Sequence, residues 1–237
     1  MRASTSQQRS RSQFISALET AQRIYGPARE MCLYNGDSFE YTTYQPNVAA
    51  KIIGLAFLSA VAAWEEFVAN VYLGYLSGYP SPSGHLPTLR YGRARNKSHA
   101  LLLAAGDSDE QNAERRMKWG SFPWVQATSL IHFGPRNVFQ RVHNSDVAWL
   151  NLAVTVRNRV AHNSDAARNK FKSAFNQLLG IQKDSPLPPG FSPGKLMICT
   201  VDSNPRLLHL RSDDHHWGDV FEGYVSLWLR LADELCP

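Results

Sequence analysis

Arg157, Asn158, Arg159 and His162 fall within one short run, Arg157-Asn158-Arg159-Val160-Ala161-His162. Arginine offers a planar fork of donors that matches the oxygens of a phosphate. Histidine, with an ordinary pKa of about 6.5, is suited to moving a proton at neutral pH. An asparagine amide can orient either group. A guanidinium, an amide and an imidazole gathered in this way suit work on a phosphodiester. On a helix, Asn158 and His162 are four residues apart and share a face. Arg157 and His162 are five apart, roughly 140° around the axis, so they flank a common ledge without stacking.

These side chains need a helix to position them, and the spacing predicts one over about 146–162. Asn144-Ser145-Asp146 supplies a start signal, and Leu152, Val156 and Val160 keep one side apolar. Asn163-Ser164-Asp165 then ends this helix and caps the next. A second long helix is predicted from Val48, with Asn47 as its cap, to about Leu76. It carries Glu65 on the apolar stripe Phe57, Val61, Trp64, Val68, Tyr72. A carboxylate on such a stripe requires a partner, because an unpaired buried charge is costly. Arg157 or Arg159 is the natural candidate. Two roles stay open for Glu65: a buried ion pair that orients Arg157 or Arg159, or a direct part in catalysis. Glu66 reads as solvated.

The hexamer matches an Arg-polar-x-x-x-His pattern and so resembles the HEPN superfamily (higher eukaryotes and prokaryotes nucleotide-binding domains). The helix around Ala62-Ala63-Trp64-Glu65-Glu66-Phe67 resembles, more weakly, the first core helix of HEPN proteins of the RiboL-PSP-associated kind. Together these parts frame roughly residues 48–235. The resemblance implies an all-helical, dimeric, metal-independent endoribonuclease of a toxin–antitoxin or antiphage system. It implies RNA as substrate, no cofactor, and an antitoxin or other regulatory protein as a further partner. Carried onto this chain, the catalytic residues are Arg157, Asn158 and His162; apart from the resemblance, Glu65 is a further catalytic candidate from its place on the stripe, and Arg159 is a candidate RNA contact. Some relatives bind nucleotides or have lost activity, so a non-catalytic nucleotide- or protein-binding module is the alternative. A purely structural reading also stands, in which Arg157 pairs with Glu65 and His162 ends its helix.

Composition fits a folded, mildly basic protein. The 237 residues are 43% hydrophobic and 19% charged, with a net charge of +5. That balance is compatible with an anionic partner and well short of a protein that coats DNA. Cys32, Cys199 and Cys236 are isolated, which indicates neither a zinc ribbon nor a disulfide framework. The polar, basic first residues do not make a secretory signal. The longest apolar run, Ile52 to Ala63, is interrupted by Gly54 and Ser59 and is too short for a membrane span. The expectation is a cytoplasmic protein with no membrane partner.

The chain reads as all-α. An N-terminal helix and loop occupy 1–47, with the helix over about 12–32 kinked or divided at Gly26-Pro27. A HEPN-like helical domain occupies 48–237, its four-helix core drawn from 48–76, 146–162, 165–182 and 217–235. An insertion over 78–143 holds a short helix at 97–105, then irregular chain with a helix near 124–132. After a proline-rich linker at 184–193, the runs 196–201 and 207–210 flank Asp202-Ser203-Asn204-Pro205 and predict a small β-hairpin. Within the insertion, Arg93, Arg95 and Lys97 are candidates for tracking an RNA backbone, with a solvated basic loop as the plainer reading. The stretch does not fit a Walker loop, since the glycine before Lys97 is missing and no strand is expected ahead of it. Asp213-Asp214-His215-His216 resembles a metal cluster, but contiguous residues cannot all converge on one ion. They fit a helix N-terminus better, and no metal site is expected.

Overall fold

Two apolar stripes with helical spacing account for the longest elements. In the computed structural model, which describes residues 6–33, 46–211 and 218–237, α1 spans Ser6–Leu33 and α2 spans Pro46–Leu76. Helix α1 buries Phe14, Leu18, Ala21, Tyr25 and Ala28, a stripe that steps by three or four residues. Pro27 lies inside α1 without dividing it. Helix α2 is buried on several faces and begins at Pro46, one residue ahead of the expected cap. A proline in the first turn sacrifices only an N–H that has no helical partner there.

The remaining helices are α3 (Lys97–Ala105), α4 (Glu110–Arg116), α5 (Phe122–Phe133), α6 (Asn144–Ala161), α7 (Asp165–Leu179), α8 (Pro193–Met197) and α9 (Val220–Leu235). Among the described residues, helix makes up 71% and no strand occurs. The fold is therefore all-α.

Two segments differ from the sequence reading. The expected hairpin is absent: its first run lies partly in α8, and 3-10 turns at Val201–Ser203 and Leu207–Leu210 follow. Among the described residues, pairing of the sheet type is limited to an isolated antiparallel bridge, Thr200 to Asp219. Local capping outweighs β propensity here. The Ser192 hydroxyl accepts from the Lys195 N–H at 3.4 Å, and Pro193 opens the turn. The stretch 110–143 is also more regular than expected. Asp109 caps α4 by accepting from the Asn112 N–H at 2.8 Å. The buried Asn137 shapes a 3-10 turn at Val138–Arg141 by accepting from the Phe139 N–H at 3.0 Å.

Helix α2 is long and apolar enough, by length and composition, to cross a membrane, which the interrupted run Ile52 to Ala63 understates. Its Phe57, Val61, Trp64, Phe67, Val68 and Tyr72 side chains are buried within the protein.

The chain forms two compact units, and α1, α2, α6 and α9 each contribute a segment to both. The first comprises Met1–Ser16, Ala63–Asn151 and Leu229–Pro237. Phe14 stacks on Phe67 at 4.8 Å, and Tyr72 packs edgewise on Phe133 at 5.1 Å. Gln7 donates to the Val71 carbonyl at 3.1 Å. Arg230 holds the buried Asp146 near the start of α6 at 2.7 Å.

The second unit comprises Ala17–Ala62 and Leu152–Trp228. Its core stacks Tyr25 on Phe221 at 4.0 Å and sets Phe57 against Tyr224 at 5.1 Å. A polar knot closes one side. Asp219, fully buried, accepts from the Tyr25 hydroxyl, from Arg29 Nε at 3.0 Å and from the Glu222 N–H at 3.1 Å.

Candidate functional site

The signature forms the last turns of α6, in the second unit. Leu152, Ala153 and Val156 are buried, which fixes the rotation of the helix. Arg157, Asn158, Arg159 and Val160 are half-buried and His162 is exposed. The final helical bond lies within the signature itself, from the His162 N–H to the Asn158 carbonyl at 2.9 Å. Arg159 then seals the helix end. Its Nη1 donates to the His162 carbonyl at 3.3 Å and to Asn163 Oδ1 at 3.2 Å, satisfying an acceptor that the helix leaves open. Two residues past His162, Ser164 caps α7 by accepting from the Ala167 N–H at 3.2 Å. The imidazole thus stands at a junction of two helix ends, each held by a side-chain cap.

Val160 faces Gly54 of α2, where an added Cβ would lie 3.3 Å from Val160 Cγ2. This close approach opens onto a groove of about 660 Å³. It is lined by Lys51, Leu55, Arg159 and Asn163, with Asn47 and the turn Ser192-Pro193-Gly194 nearby. Sequence reasoning singled out Arg159 but missed Lys51, Asn163 and the 190–194 turn as its neighbours. Arg157, Asn158 and His162 do not line this groove.

The other sequence candidates lie in the first unit. Glu65 is half-buried on α2, and Glu66 is exposed. Arg93 donates from Nε to the Ser77 carbonyl at 2.6 Å, just past the end of α2, and lies over the Tyr79 ring at 6.0 Å. Lys97 donates to Asn70 Oδ1 at 3.0 Å, and burial lowers its pKa. These two cations tie the loop back onto α2. Arg95 is exposed and is the better placed of the three for a passing phosphate. Asp213, Asp214, His215 and His216 lie outside the described residues.

A smaller pocket in the first unit, about 330 Å³, is lined by Trp124, Thr128, Arg116, Met117 and His132 among others. Burial lowers the pKa of His132, and burial with nearby Arg141 does the same for His85. Unfolding returns these imidazoles to water, where they bind protons more readily. The unfolded chain therefore holds more protons as pH drops through about 6.5, and stability falls with it. Urea melts between pH 7 and pH 5 should show this loss, and His132→Gln should reduce it. An unchanged slope in that variant would remove His132 as a source.

Among the described residues, Cys32, Cys199 and Cys236 form no disulfide. Burial pushes Cys236 up to about 11, so it is mainly protonated and poorly nucleophilic at neutral pH.

No family model matches the chain, and neither curated proteins nor solved structures yield a match.

Proposed function

We propose that this chain is a metal-independent endoribonuclease in which Arg157 and His162 act on the phosphodiester, working as a two-fold dimer in a toxin–antitoxin or antiphage setting. The observation that supports this most directly is the exposed imidazole of His162, presented at a capped helix end one turn beyond the Asn158 side chain and next to the Arg157 turn. RNA carries its own nucleophile. The 2′-hydroxyl attacks phosphorus, forming the O2′–P bond as the P–O5′ bond breaks. A base takes the 2′ proton, an acid delivers a proton to O5′, and positive charge balances the phosphorane. Arg157 holds the phosphate, His162 transfers a proton, and Asn158 orients the pair. A two-fold axis supplies the second histidine, because an isologous interface presents the same patch twice. A regulatory protein partner and a cytoplasmic site of action accompany this reading.

Incubation of purified protein with mixed RNA, with and without chelator, tests it. Cleavage should survive chelation and leave 2′,3′-cyclic phosphate and 5′-hydroxyl ends. Activity lost in chelator and restored by a divalent ion would exclude the mechanism. The alternative, a binding module of the same architecture, draws on the groove beside Arg159. It would show as a nucleotide-dependent rise in melting temperature with RNA left intact.

A further inference from the structure

The groove between α2, the end of α6 and the 190–194 turn is built from close backbone approaches. An added Cβ at Gly194 would lie 1.8 Å from the Ala50 carbonyl oxygen. No side chain fits there, so the turn rests directly on α2. Its floor is apolar, made by Ala50, Gly54, Leu55, Val160 and Pro193. Leu55 is 58% exposed, which leaves its apolar side chain open to solvent. The charged residues in the lining are Lys51 and Arg159, and no carboxylate joins them among the described residues. Asn47 and Asn163 add amides to the lining.

Arg159 has capacity to spare. Among the described residues, both of its hydrogen bonds use Nη1, which leaves the donors on Nε and Nη2 for a ligand. Lys51 is exposed on the opposite wall. Two cations over an apolar shelf, with amides at hand, suit a planar ring that carries a phosphate. The volume of about 660 Å³ lies within the range of small-molecule sites.

We propose that this groove holds one nucleotide of a single-stranded RNA, its phosphate between Lys51 and Arg159 and its base on the shelf of Leu55, Gly54 and Pro193. The proposal rests on the ribonuclease reading and gives that site a neighbouring subsite. Arg159 lines the groove and also bonds the His162 carbonyl, so the groove and the Arg157–His162 run share the end of α6. The subsite would decide which stretch of a strand is engaged, and the signature would cut it.

A labelled 2′-deoxy oligonucleotide is a suitable probe, since it lacks the hydroxyl that cleavage requires. Its binding to the full chain is followed by fluorescence anisotropy across a salt series. Lys51→Ala should weaken binding and lower the slope of log K against log salt by about 0.7, the increment for one phosphate contact on a single strand. Asn163→Glu, at an exposed position, should weaken it further by placing a carboxylate on Arg159. Lys183→Ala, which removes an exposed cation outside the groove, should leave the slope unchanged. Absence of binding by the wild type would overturn the proposal, as would equal effects of Lys51→Ala and Lys183→Ala. Displacement by an aspartate oligomer of equal charge, as readily as by unlabelled oligonucleotide, would overturn it in favour of an acidic peptide. Groove-dependent binding with RNA left intact would retain the subsite and reject the ribonuclease. RNA cleavage with binding indifferent to both groove variants would do the reverse.

Discussion

Replacing His162 with alanine should abolish RNA cleavage and leave the melting temperature close to that of the wild type. General acid–base catalysis contributes roughly 10²–10⁴-fold, so the expected loss lies in that range or beyond it. The fold should be indifferent because His162 is exposed and the bonds that tie it into the helix end run through its backbone. A loss below about tenfold would take His162 out of proton transfer. Arg157→Ala should lose cleavage too, with a modest fall in stability, because its half-buried stem packs. Arg157→Lys keeps the charge but not the fork, and should recover little activity. The same His162→Ala chain tests the composite site when co-refolded with wild type. If one phosphate needs a histidine from each protomer, activity falls as the square of the wild-type fraction. A linear fall would mean that each chain carries a complete site.

Asp219→Ala should be strongly destabilising, at about 3–5 kcal/mol, the usual cost of removing one partner of a buried pair. Asp219 is fully buried and the Arg29 side chain is only 12% exposed. The substitution strips Arg29, the Tyr25 hydroxyl and the Glu222 N–H of the acceptor they share. Burial first, then the adjacent carboxylate, pushes the Tyr25 hydroxyl far above the ordinary phenol range. Tyr25 therefore stays a donor throughout the working pH range. Asp219→Asn keeps the shape and an acceptor oxygen and should cost less. Urea unfolding of both variants measures the difference. A cost below about 1 kcal/mol for the alanine variant would show that the knot contributes little beyond its packing.

What is legible in the sequence is mostly local. Helix α3 appears where expected because Asn96 caps its start, accepting from the His99 N–H at 2.8 Å. It ends where expected because Gly106 takes a left-handed φ of 60°. Helix α7 follows the same logic between Ser164 and Gly180. The hairpin expectation fails at 196–201, where β-branched and apolar residues follow a Ser-Pro cap signal that carries more information. The Asp109 cap and the Ser121-Phe122-Pro123 start of α4 and α5 are equally readable signals, set in a stretch that otherwise reads as irregular chain. Pro27 misleads in the other direction, since the buried stripe through Ala21, Tyr25 and Ala28 carries α1 across the proline. The chemistry of the signature residues is visible as residue types at helical spacing. The groove is not, because Lys51, Arg159 and Gly194 meet only through tertiary packing.

The position of His162 at a capped helix junction has a consequence for how such a protein would change over generations. The caps on either side come from Arg159 and Ser164, and the imidazole itself is exposed. Substitution there therefore meets little resistance from folding, and selection on that residue acts through what it does. On the ribonuclease reading proposed above, losing the reaction would leave the scaffold and the nearby groove intact. On that reading a single codon change would turn a protein that cuts a strand into one that only holds it, and the reverse change would restore it.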